Sequence, residues 1–275
     1  MLPSFILSLR EGIEAVLIIG IILGVLNKLN QQGLKSFMWR GVLLAAGLSI
    51  AFGIGLNALG MEFTGRFEEI FEGLAMLLAA AFLTWMILWM QRGGGQLHGE
   101  LEDKTIQAMY RRGSAALFFL AFLAVFREGI ELALFLIATR MATDPVSVLV
   151  GASLGFTAAI LLGWLFFTST RRLNLKRFFQ ITNLLLLFFA AGLVAHGVHE
   201  LNVAGWIPTL IEPVWDINHI INENSQAGSI FKALFGYNGN PSLTEVLAYA
   251  GYFLLLGIII FRKQRNLMNT KAAAV

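Results

Sequence analysis

Long apolar runs separated by short polar ones recur along the whole chain. Seven of them reach or nearly reach the roughly 20 residues that cross a 30 Å hydrocarbon core at 1.5 Å per residue. Their expected bounds are 3–28, 38–60, 69–91, 114–139, 146–169, 178–201 and 243–261. The longest polar interruptions, 92–113 and 202–242, are too short to fold as independent domains. The pattern predicts an all-α polytopic membrane protein with one transmembrane domain over residues 1–275.

Composition strengthens this reading: 57% of residues are hydrophobic and 13% charged, with mean hydropathy +0.73. An ordinary soluble globule has about 25% charged residues. The absence of cysteine excludes disulfides, thiolate metal sites, iron–sulfur clusters and a cysteine nucleophile. Any metal must therefore be held by oxygen or nitrogen. The net charge of +3 does not point to nucleic acid, because the basic residues crowd into short loops and report topology instead. Fifteen lie in the first, third and fifth inter-helix loops and the C-terminal tail, against three (Arg66, Arg140 and Lys232) on the opposite side. This asymmetry predicts the N-terminus outside and the C-terminus in the cytoplasm. With no basic stretch before the first apolar run, and Arg10, Glu11 and Glu14 inside it, a cleaved signal peptide is not expected.

Arg10 and Arg127, the two basic residues left over from that count, lie inside predicted helices and belong to an internal repeat. Arg10-Glu11-Gly12-Ile13-Glu14 recurs as Arg127-Glu128-Gly129-Ile130-Glu131, 117 residues later. Weaker echoes follow at offsets of 110 and 111: Gly41 and Gly53 against Gly151 and Gly163, and Arg66-Phe67-x-x-Ile70 against Arg177-Phe178-x-x-Ile181. The chain thus reads as repeat one (about 1–112), repeat two (about 113–201), an outer loop (about 202–242) and a seventh helix (about 243–262). Three helices per repeat is an odd number, so the halves form a 3+3 inverted repeat plus one extra helix, an architecture typical of secondary transporters. Both motifs fall roughly 12–16 Å below the outer ends of their helices, by the rise per residue. Antiparallel helices would bring all four carboxylates to one depth.

In each Glu-x-x-Glu the carboxylates share a helix face, and each arginine precedes the second glutamate by four residues, within pairing reach. A charge at mid-helix costs about 2.5–3.5 kcal/mol on insertion scales, so six such groups need mutual pairing or a function. A network that merely welds the two helices leaves four negative charges against two positive. A bound cation completes the balance, and oxygen donors favour hard ions such as Fe³⁺, Mg²⁺, Mn²⁺ or Ca²⁺.

Glu69 and Glu72 repeat the Glu-x-x-Glu spacing near the outer end of the third helix, as a second site at the mouth or as acidic residues complementing the helix dipole. His196 and His199 share a face at the end of the sixth helix, as ligands, proton carriers or ordinary hydrogen-bonding groups. Glu212, Asp216, His219 and Glu223 are spaced 4, 3 and 4, which on a helix gives an acidic stripe able to concentrate cations or simply a solvated face. Residues 235–241 read as a turn before the seventh helix. No P-loop, nucleophile elbow or dinucleotide fingerprint is present, and no enzymatic activity is expected.

The doubled Arg-Glu-Gly-Ile-Glu in the first and fourth of seven helices resembles the oxidase-coupled iron permeases, and the short chain is similar to their bacterial EfeU-type members. Phe71-Glu72-Gly73, Ala190-Ala191-Gly192-Leu193 and the Phe-Gly-Tyr turn carry the likeness further. The resemblance implies a multi-pass protein of the bacterial inner membrane importing iron, as Fe³⁺ or as Fe²⁺ that is oxidised, with Arg10, Glu11, Glu14, Arg127, Glu128 and Glu131 along the ion path. Iron would be the transported substrate, with no organic cofactor. Fungal members work with a multicopper oxidase; for EfeU-type members the expected partners are a periplasmic iron-binding lipoprotein and a haem peroxidase, besides membrane lipid. The long N-terminal domain of some relatives is not seen in this sequence, which suggests that a separate partner captures the metal. The alternatives are a permease for another hard divalent cation such as Mn²⁺ and a membrane di-metal carboxylate oxidase. The latter usually needs Glu-x-x-His pairs where this chain has Glu-x-x-Glu. A helix-packing protein, the third alternative, binds no metal.

Overall fold

The computed structural model describes residues 1–61, 64–93, 97–168, 175–222, 225, 228, 231–232 and 235–272. Among the described residues it contains seven long helices and no strand: α1 (Leu2–Lys28), α2 (Lys35–Met61), α3 (Arg66–Gly93), α4 (Leu97–Ala142), α5 (Pro145–Thr168), α6 (Leu175–Val203) and α7 (Leu243–Ala272). A short 3₁₀ turn, Gln32–Leu34, joins α1 to α2. Local chemistry sets several ends. Pro3 sits in the first turn of α1, where its missing N–H costs nothing, and Lys28 in the last turn complements the dipole. Asp144 caps α5 by accepting from the Ser147 amide at 2.9 Å. Ser242 and Glu245 form a reciprocal capping box at the start of α7.

Among the described residues, segments of five helices are long and apolar enough to cross a membrane: Gln32–Ala58, Arg66–Trp89, Pro145–Thr168, Arg177–Val203 and Leu243–Arg262. The chain is a multi-pass membrane protein. α1 and α4 stand outside that set although they have 27 and 46 residues, and each carries three motif charges.

Two helices run well past their expected bounds. α4 begins at Leu97 rather than near 114 because the polar stretch before the apolar run is itself helical, and Gly113 (φ 62°, ψ −143°) breaks the helix between the two parts. α7 continues through the basic tail to Ala272. The segment expected as an acidic stripe is not a helix: residues 207–222 form turns and irregular backbone. Pro208 and Pro213 each remove an amide donor that a helix there would need.

The chain divides into two compact units, Met1–Thr64 with Ala81–Leu187, and Gly65–Ala80 with Phe188–Val275. In the first, α1 packs on α5 and α4, and α2 packs on α4. Ile22, Leu26, Met38, Val42, Ala45, Leu117, Ala121 and Val125 form a buried apolar cluster, against which a stacked run of Phe118, Phe122 and Phe126 is laid in part. Close approaches at small residues reveal the repeat. Gly41 of α2 abuts the backbone of Phe118 and Phe122 in α4, and Gly151 of α5 abuts the Met1 carbonyl before α1. Gly129 meets Ser49 as Gly12 meets Ala159, and Gly53 meets Ala133 as Gly163 meets Val16. Adding 117 to an α1 position and 110 to an α2 position turns each contact into its counterpart. Contacts rise together in both pairs, so α1 runs parallel to α5 and α2 parallel to α4. The short Thr143–Asp144 link reverses the chain between α4 and α5, so α4 opposes α1.

In the second unit the start of α3 lies against the end of α6. Arg66 Nε donates to the Ala204 carbonyl at 2.8 Å, and Gly73 and Gly197 each leave room for the other's backbone. Asn202 Nδ2 donates to Thr244 Oγ1 at 2.8 Å, tying the end of α6 to the start of α7. Gly236 (φ 66°) packs on Gly192 so closely that neither position has space for a Cβ.

Candidate metal centre

The α1–α4 contact brings the two motif copies together. One carboxylate oxygen each from Glu11, Glu128 and Glu131 lie within 4.8 Å of one another, and all three residues are buried. Glu11 Oε2, Glu128 Oε2 and Glu131 Oε2 are buried oxygens with no hydrogen-bond partner. Glu14 joins through Arg10 rather than through this group: its Oε1 is 3.1 Å from Arg10 Nη2, and its side chain is 16% exposed. Among the described residues this is the only group of three or more potential metal-ligating side chains so arranged. Four carboxyl groups share two guanidiniums in a weakly screened interior, where unpaired charge is costly. Such a set can hold a hard cation through oxygen alone.

The two arginines are held differently. Arg10 has no exposed surface; Nη1 contacts Glu11 Oε1, and the same nitrogen donates to the Met86 sulfur at 3.2 Å. Arg127 is 41% exposed, and its Nε donates to Glu131 Oε1 at 2.8 Å. Its guanidinium carbon lies 4.6 Å from the centre of the Trp89 ring, a cation–π contact worth about 0.5–1 kcal/mol at an exposed site and more when desolvated. Among the described residues no arginine is within ion-pair distance of Glu128.

Met86 and Trp89 escaped the sequence reading. They are three residues apart on α3, hence on one face, and that spacing was the available signal. Nothing in the sequence states what the face meets.

The outer candidates are dispersed. Glu69 and Glu72 sit half-buried in the early turns of α3, in the second unit and outside the carboxylate group. His199 Nδ1 lies 3.1 Å from Glu245 Oε1. Glu245 also accepts from Asn238 at 2.8 Å and from the Ser242 hydroxyl at 2.9 Å. His199 thus belongs to the structured start of α7, and Glu245 is the residue that the reading of this region overlooked. His196 Nδ1 pairs with the Gly192 carbonyl one helical turn back, at 3.1 Å. Asp216 accepts from the Asn218 amide at 3.1 Å in an exposed turn, and His219 is exposed. Glu223 lies outside the described residues.

The model of the iron permease FTR1 family matches residues 1–274. The ferrous iron permease EfeU of Escherichia coli O6:K15:H31 (strain 536) is 35% identical over 256 residues, covering 92% of this chain and 93% of the relative. The ferrous iron permease EfeU of Yersinia pestis is 32% identical over 276 residues, covering 100% and 98%. No solved structure matches.

Proposed function

This chain belongs to the iron permease FTR1 family, and from that premise we propose that it imports iron through the centre formed by Glu11, Glu128 and Glu131 with Glu14 beside them. The observation that carries the reading is the convergence of three buried carboxylates, each with one oxygen that accepts no hydrogen bond, from the two copies of one motif. Arg10 and Arg127 keep the like charges together in the empty state without fully neutralising them. The surplus charge is then available to a cation. The two-fold exchange of α1 with α4 suits a carrier, since an inverted pair can present one centre alternately to either side. The relatives' names favour Fe²⁺ as the ion presented to the transporter; the all-oxygen donor set is equally suited to Fe³⁺.

We further propose seven spans in a bacterial inner membrane, N-terminus outside and basic tail in the cytoplasm. A periplasmic iron-binding lipoprotein and a haem peroxidase would act before uptake. Reporters inserted in the outer loop and after Arg265 should respond on opposite sides; both on one side would refute the topology. The transport reading is tested by reconstituting the purified chain alone in liposomes and following radioactive iron. Time-dependent accumulation above protein-free liposomes is expected, with Mn²⁺ competing weakly. Metal oxidation without accumulation would favour the oxidase, and no interaction with metal would favour a packing protein.

A further inference from the structure

The near two-fold relation between α1 and α4 fails at one place, and the failure comes from α3. Arg10 engages both glutamates of its motif, whereas Arg127 engages Glu131 alone. The missing contact is the one from Arg127 to Glu128, whose counterpart joins Arg10 to Glu11. The Arg127 guanidinium lies over Trp89 instead, one turn along α3 from the methionine that caps Arg10. Glu128 presents a buried Oε2 with no hydrogen-bond partner to the three-carboxylate group, as Glu11 and Glu131 do, but it alone of the three has no arginine among the described residues within ion-pair distance. Arg127, 41% exposed where Arg10 is wholly enclosed, has space to move.

We propose that Trp89 is a positioning residue that holds Arg127 off Glu128 and thereby keeps this carboxylate available to the cation. When Arg127 leaves the Trp89 face and pairs with Glu128, as Arg10 pairs with Glu11, its positive charge replaces part of the cation's and weakens the hold on it. A centre built of carboxylates needs such a step, because a cargo bound by all of them at full strength leaves slowly. The inference rests on the iron-transport reading and assigns the release step to one side of the centre.

The test is uptake of ferrous iron, kept reduced with ascorbate, into liposomes containing the full chain with Trp89→Phe, Trp89→Leu or Trp89→Ala. Phenylalanine keeps an aromatic face for the guanidinium; leucine keeps apolar bulk without one. Trp89→Phe is expected to stay within about two-fold of the wild-type half-saturation, while the other two raise it about five-fold or more and lower the maximum rate less than about two-fold. A merely structural role for the ring makes phenylalanine and leucine alike in both constants, and that result would overturn the proposal. So would wild-type kinetics in all three variants. If the wild type moves no iron, the transport reading itself fails; if it does and Trp89→Leu matches it, only the role of Trp89 fails.

Discussion

Residues 10–14 and 127–131 are the same five amino acids in two different housings. The α1 copy is sealed: its arginine is enclosed, ion-paired with both glutamates and capped by Met86. The α4 copy is open on one side, with its arginine half-exposed, laid over Trp89 and paired with one glutamate. Identical sequence supplies the same donors at the same spacing. The difference comes from α3, which belongs to neither motif yet meets both arginines. A transport centre with two equal halves would bind symmetrically; under the role proposed for Trp89, the neighbour decides which half can give way.

The comparison is broken most severely by removing charge from the shared group. Glu128→Gln or Glu131→Gln should reduce iron uptake to background while the protein still inserts, because each keeps side-chain shape but removes a charge the cation needs. Glu14→Gln should also fail, although its carboxylate reaches the group through Arg10. Radioactive-iron uptake alongside quantified membrane protein checks all three, and normal transport by the glutamine variants would leave the motifs as a structural weld.

Unequal housing predicts unequal stability. Arg10→Gln strips a buried pair and leaves uncompensated carboxylates, costing about 3–5 kcal/mol. Arg127→Gln also deprives buried Glu131 of its ion pair, but it acts at a half-open site and should cost less than Arg10→Gln. Thermal unfolding in detergent measures both, and equal losses would contradict the difference drawn between the two halves.

The glycines inside the motifs should behave alike, since both serve close packing between parallel helices. A Cβ at Gly12 would lie 2.7 Å from the Ala159 Cβ, and one at Gly129 would collide with Ser49. Gly12→Val and Gly129→Val should each cost about 1–3 kcal/mol by overpacking. A loss at only one of them would mean that the repeat does not extend to packing.

The smallest expected effect lies outside the centre. Glu72 is half-buried on α3 and is not a member of the three-carboxylate group. Glu72→Gln should raise the half-saturation for iron more than it lowers the maximum rate, as expected for a residue that helps capture. An unchanged half-saturation would assign Glu72 to the helix dipole.

Much of this was readable from the chain. The repeated pentapeptide and the odd helix number foretold the antiparallel meeting of α1 and α4, because depth along a helix follows directly from residue count. The echoing glycines marked the repeat, but which helices they join became visible only in the structure. Tertiary neighbours were not readable: the period of α3 places Met86 and Trp89 on one face, but the partner of that face is set by packing over a long sequence separation. The 4, 3, 4 spacing from Glu212 to Glu223 looked helical, and the prolines at 208 and 213 argued against it. The capping box at Ser242 and Glu245 is present in the sequence, but Glu245 falls inside the apolar run expected over 243–261 and is not singled out by that pattern. His199 was thereby read without its partner.

The central claim is that both motif copies contribute to one shared ion centre, and iron stoichiometry tests it most directly. Purified chain titrated with iron under conditions that prevent precipitation should bind one ion per chain at the high-affinity site, and either Glu11→Gln or Glu128→Gln should abolish that binding. Two ions per chain, with each variant retaining one, would show that the copies work as separate sites and would contradict the account.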